Sequence, residues 1–219
     1  METHEGAEVP DWPRGDRARD TGGADAGAAD VADASARRHE VAEYALLGLL
    51  RAGPCHGYRL AAAFAPGGWL RPILRLKMSQ MYAYLHKLEH QGWLGATTEA
   101  GDTPRPRRVF ALTPAGERTY DAWASQPVGA TRDIRLEFLV KLAFAIQHDS
   151  TEAARLVARQ RAATQAWLAR LRAQAGGTGG APALAPALST RDLILGYRVR
   201  QSEAVLAWLA EIEGQINRT

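Results

Sequence analysis

Cys55 and His56 stand side by side, the residue types of a thiolate nucleophile and its base. Side chains of adjacent residues diverge, and no third group is at hand to orient the imidazole, so the pair reads as a small thiol beside a histidine at a helix start. His86 and His90 are spaced i, i+4, which on a helix can bring two imidazoles to one metal ion, with His56 as a third. The His-Glu-x-x-His arrangement of a zinc hydrolase is missing, and surface histidines near phosphate are the better reading. Cys55 is the only cysteine, which excludes an intrachain disulfide and a cysteine-rich zinc site. No catalytic residue, metal or cofactor is expected. A different chemistry is better represented. Hydrogen-bonding and cationic groups gather at Lys77, Gln80, Tyr84 and Lys87, and arginines cluster at Arg105, Arg107 and Arg108. Such groups read base edges and grip phosphates.

The charge distribution points the same way. Residues 1–36 hold 3 Arg against 9 acidic residues, a balance of −6. Residues 37–120 hold 12 Lys and Arg against 6 acidic residues, a balance of +6, and the remainder holds 12 against 9, a balance of +3. The basic excess therefore coincides with the segment that carries the candidate residues, as a phosphate-binding surface requires.

These residues need elements to position them. An apolar run from about Glu40 to Leu50 predicts a helix stopped by Gly53 and Pro54, and a second follows at about His56 to Ala65. A third helix is predicted from Ser79 as N-cap to Gly92 as stop. Its Met81, Leu85 and Leu88 form an inward stripe, and Gln80, Ala83, Tyr84 and Lys87 occupy another side, turned to solvent. WLGATTE and RRVFAL read as two strands joined by a Gly- and Pro-containing loop, and Thr113 with Pro114 starts a fourth helix. Helix, helix, helix, strand, strand, helix is the order of a winged helix-turn-helix, in which the third helix enters the major groove and the hairpin tip meets the backbone.

Three stretches, LLGLLRAGPCHGYRL at 46–60, MSQMYAYLHKLEHQGWL at 78–94 and RRVFALTPAGERTY at 107–120, resemble the PadR-type transcriptional regulators. The resemblance implies a homodimer, usually a repressor, whose C-terminal helices pair the protomers and often sense a small molecule. On that resemblance Tyr58 and Tyr82 match recurrent tyrosines, and Ser79, Gln80 and Lys87 lie on the recognition helix. GGWLRPILRLK at 67–77, before that helix, and the acidic leader depart from the family pattern.

Beyond residue 125, periodicity predicts helices at 132–147, 152–174 and 190–217, the last with a stripe of Val205, Trp208, Leu209, Ile212 and Ile216, and a Gly/Pro/Ala linker at 175–187. Burial against a second subunit is the natural destination of such helices. Phe138, Phe144, Trp167 and Trp208 are candidates to line a pocket for a flat effector, although aromatics at helical spacing more often pack a core or interface.

The expected architecture is mainly α (α+β): a disordered acidic leader at 1–38, a winged helix-turn-helix at 39–126 and a helical dimerisation and effector-binding region at 127–219. The expected function is non-enzymatic: binding of a palindromic duplex operator, relieved by an effector. The rival is a winged protein that binds a small molecule or docks a protein without touching DNA. No membrane span or export signal is evident, and a cytoplasmic location is expected.

Overall fold

The computed structural model describes residues 22–99, 107–175 and 189–218. The chain divides into residues 1–36 and 37–219, and the fold below is that of the second unit. Helix α1 is Gly22–Leu50, so helix begins well before Glu40, within the stretch whose composition suggests a disordered leader. Entropy without burial argues for disorder, but AGAADVADASA is rich in alanine, whose helix propensity needs no core. Residues 1–21, and the linker over 176–188, lie outside the described residues.

After α1 come β1 (Cys55–His56), α2 (Gly57–Ala62), α3 (Met78–His90), β2 (Leu94–Glu99), β3 (Arg107–Leu112) and α4 (Pro114–Ser125). The strands form one antiparallel sheet in the order β1-β3-β2. Leu94 pairs with Leu112 and Glu99 with Arg107 at the two ends of the hairpin, while β1 joins through Cys55 to Phe110. Gly92 takes φ +73° at the turn out of α3, where a side chain would be strained. Thr113 accepts a hydrogen bond from the Gly116 amide at 3.1 Å with Pro114 first in the helix, as its position predicts.

This half buries Leu46, Leu47, Leu50, Leu60, Phe64, Leu70, Leu74, Met81, Leu85, Leu88 and Phe110 in one core, which Val140 and Phe144 complete from outside it. The helix predicted at 132–147 is divided into a 3-10 turn (Thr131–Asp133), a π turn (Ile134–Phe138) and α5 (Leu139–His148). No breaker residue marks these turns. Asp133 is fixed there by the Arg37 guanidinium at 2.8 Å to each carboxylate oxygen. Helices α6 (Ser150–Gln174) and α7 (Thr190–Ile216) pack with the π turn and α5 around a second core of Phe138, Leu142, Leu156, Val157 and Leu209, joined by Trp167, Val205, Trp208, Ile212 and Ile216. Helix α5 thus serves both cores from opposite sides.

The connection between α4 and the helical arm is held by side chains of the arm. Arg159 donates to the Ser125 carbonyl at 2.8 Å, Lys141 to the Gln126 carbonyl at 3.0 Å, and the buried Gln160 accepts from the Val128 amide at 2.8 Å. Each bond satisfies a backbone group that no helix or strand would otherwise pair. Among the described residues no helix is long and apolar enough to cross a membrane.

Candidate nucleic-acid interface

Helix α3 presents its outer side because Met81, Leu85 and Leu88 are buried on the other. Helical geometry then sends Ser79, Ala83 and His86 outward, with Gln80, Tyr82 and Lys87 on the flanks. All six are exposed. Tyr82 lies across α2: a Cβ at Gly57 would stand 2.7 Å from its hydroxyl, so a larger residue in the His-Gly-Tyr stretch would push the exposed Tyr82 ring aside. Tyr58 is 57 % exposed and stacks on His56 with centroids 5.5 Å apart.

The start of α3 differs from the expected one. Lys77, exposed and extended, is the N-cap, and Ser79 sits inside the first turn. Gln80 causes the shift, since its side-chain oxygen accepts from the Lys77 amide at 3.2 Å and satisfies a donor the helix leaves open. That oxygen is committed to the cap.

Lys87, Tyr84 and Arg108 are placed differently from the outward groups the sequence suggests. The Lys87 ammonium reaches back to α1, 2.7 and 2.9 Å from the buried Glu43 carboxylate. Tyr84 is half-buried against the first core, 5.8 Å from the His39 ring. Burial, with Glu43 adding to it, keeps its phenol above the usual tyrosine range and hence neutral. Arg108 is pinned to Glu89 at 2.6 and 2.8 Å and lies over the Phe110 ring at 5.1 Å. In each case a partner distant in sequence captures the group. Arg107 remains exposed at the outer end of β3, and Arg105 lies outside the described residues. The sequence reading passed over Arg59, Arg71 and Arg75. Arg59 and Arg75 are exposed and Arg71 is half-exposed.

Cys55 is free and half-buried, its thiol 3.5 Å from the His56 carbonyl. His86 and His90 are exposed, and among the described residues no three potential ligands gather to hold a metal. The four aromatic effector candidates do not share one site. Phe138 meets Trp208 edge-on at 6.1 Å, and Trp167 joins the same core, whereas Phe144 belongs to the first core, edge-on to Trp69 at 4.9 Å and Tyr120 at 6.1 Å. The cause is spacing: Val140 and Phe144, four apart, face one core while Leu142 faces the other.

Residues 46–122 match the Transcriptional regulator PadR-like family, and residues 134–217 match the Virulence activator alpha C-term family. The Negative transcriptional regulator PadR of Bacillus subtilis (strain 168) is 32 % identical over 106 residues, 48 % of this chain and 56 % of that protein, so the chain spans little more than half of the relative's length. Two solved Bacillus subtilis PadR structures align with it. The complex with operator DNA is 24 % identical with a TM-score of 0.39 over 80 % of this chain and 98 % of that one. The complex with p-coumaric acid is 25 % identical with a TM-score of 0.36 over 81 % and 99 %. By its sequence motifs, its winged helix-turn-helix and the family match, the segment 46–122 is similar to the PadR-like transcriptional regulators.

Proposed function

We propose that the protein is a homodimeric repressor that occupies a palindromic operator and leaves it when a small aromatic or planar effector binds. The observation that carries this reading is the exposed outer side of α3, with Ser79, Gln80, Tyr82 and Ala83 set beside a β hairpin bearing Arg107. A helix of that width fits the major groove, and small or hydrogen-bonding side chains near its N-terminal half meet base edges. Lys77 and Arg107 take phosphates, and Lys87 and Arg108 join only by leaving their carboxylates. Pairing of two copies is supported by α7, whose Leu193, Ile194 and Tyr197 are exposed apolar side chains on one turn of helix. Effector binding is assigned to the helical arm, where Phe138, Trp167 and Trp208 share one cluster.

Footprinting of the purified full chain on genomic DNA, with and without aromatic metabolites, tests the reading. Protection of paired half-sites about 34 Å apart, weakened steeply by salt and lifted by one of the metabolites, is expected. Protection of no site at low salt would remove it in favour of a winged protein that does not bind DNA.

A further inference from the structure

The stretch between α2 and α3 is built into the core. Leu70 and Leu74 are fully buried, four residues apart. The Leu74 amide donates to the Leu70 carbonyl at 2.8 Å and the Leu70 amide to the Ala63 carbonyl at 3.1 Å. A Cβ at Gly68 would fall 2.3 Å from that same Ala63 oxygen, so the chain can turn back this tightly only with glycine there. Trp69, edge-on to Phe144, ties the stretch to α5 as well.

Arg71 and Arg75 repeat the four-residue spacing one position further on, Arg71 half-exposed and Arg75 exposed. Neither has an acidic partner among the described residues, whereas Lys87 and Arg108 both do. The stretch ends at Lys77, the exposed N-cap of α3. Three cations on an anchored backbone thus lead directly into the helix assigned to the groove. The wall of a groove beside an inserted helix is phosphate backbone, and cations on a fixed backbone lose less freedom on binding it than cations on a loose loop.

We infer that Arg71 and Arg75 form a phosphate clamp for duplex DNA at the entrance to the recognition helix. The clamp rests on the DNA-binding reading above. It positions the protein without reading sequence, and it replaces the cations that Lys87 and Arg108 withdraw into intramolecular pairs.

The test is the salt dependence of affinity for two probes, a short mixed-sequence duplex and one carrying a footprinted site. Wild type is compared with Arg71→Gln/Arg75→Gln, with Arg75→Gln alone and with Arg71→Lys/Arg75→Lys. Each lost phosphate contact lowers the slope of log affinity against log salt by about 0.9. The double glutamine variant should therefore be shallower by about 1.8 on both duplexes, and should lose roughly tenfold less affinity over a fourfold rise in salt. Arg75→Gln, at an exposed position, should give half that change, and the lysine variant should keep the wild-type slope. Glutamine variants with the wild-type slope, on duplexes the wild type binds, would overturn the clamp and leave the DNA-binding reading intact. A wild type that binds neither duplex would overturn both.

Discussion

Ala83 is the cleanest reporter of the outer side of α3, because it is exposed and makes no contact that the fold needs. Ala83→Glu sets a carboxylate against phosphate. It should weaken duplex binding by about tenfold to a hundredfold while shifting stability by no more than about 0.5 kcal/mol. Gel shift and thermal melting measure the two, and unchanged binding would take this side off the duplex. Glu43 controls how many cations α3 can offer. Glu43→Gln releases the Lys87 ammonium and should steepen the salt slope by about 0.9, at a cost of about 1–3 kcal/mol from the lost charged hydrogen bond. An unaltered slope would mean that Lys87 does not reach the backbone even when released. Lys141 supplies a pH signature. Burial pushes its pKa down, with the Glu137 carboxylate at 2.7 Å opposing. Between the lowered value and the ordinary lysine value the unfolded chain binds more protons, so stability contributed by this residue rises with pH across that window. Wild type should gain on Lys141→Met through that alkaline range in urea titrations, and a constant difference would refute it. The types of these residues were legible in the sequence. Their partners were not, since Glu43 lies 44 residues from Lys87 and Glu89 lies 19 from Arg108.

At the scale of elements, what is local was legible. The Thr113 cap with Pro114, the turn at Gly92, the two strands of the hairpin and the α7 stripe all follow from residues within a turn or two of one another. Strand β1 was not legible, because two residues carry no periodicity and exist as a strand only through Val109 and Phe110 of β3. The two-sided role of α5 was hidden for a similar reason: its apolar residues announce burial but not which core receives them. Gln160 tests the hold on the connection after α4. Gln160→Leu keeps the volume but leaves the buried Val128 amide without its acceptor, and should cost about 1–3 kcal/mol in urea unfolding. Full stability in that variant would mean the bond is dispensable.

For the whole molecule, the proposed dimer depends on the exposed apolar side chains of α7. The double change Ile194→Asp/Tyr197→Asp should halve the mass seen by light scattering and lower operator affinity, as two half-sites no longer act together. An unchanged mass would place the pairing surface elsewhere. The sequence predicted that long helices seek a partner. It did not separate the stripe spent on the second core, Val205 to Ile216, from the turn left exposed at Leu193 to Tyr197, because both are apolar and only the packed fold tells them apart. The three bonds at Ser125, Gln126 and Val128 have a consequence for the operator. In the proposed dimer, these bonds and the packing of α5 into both cores resist twisting of one DNA-binding half against the other. Each base pair added between half-sites turns one against the other by roughly 35°, a turn the joint would have to absorb by giving up these bonds. If the proposed dimer holds, spacing is expected to be selected along with sequence, and loosening the joint should widen the range of spacings accepted.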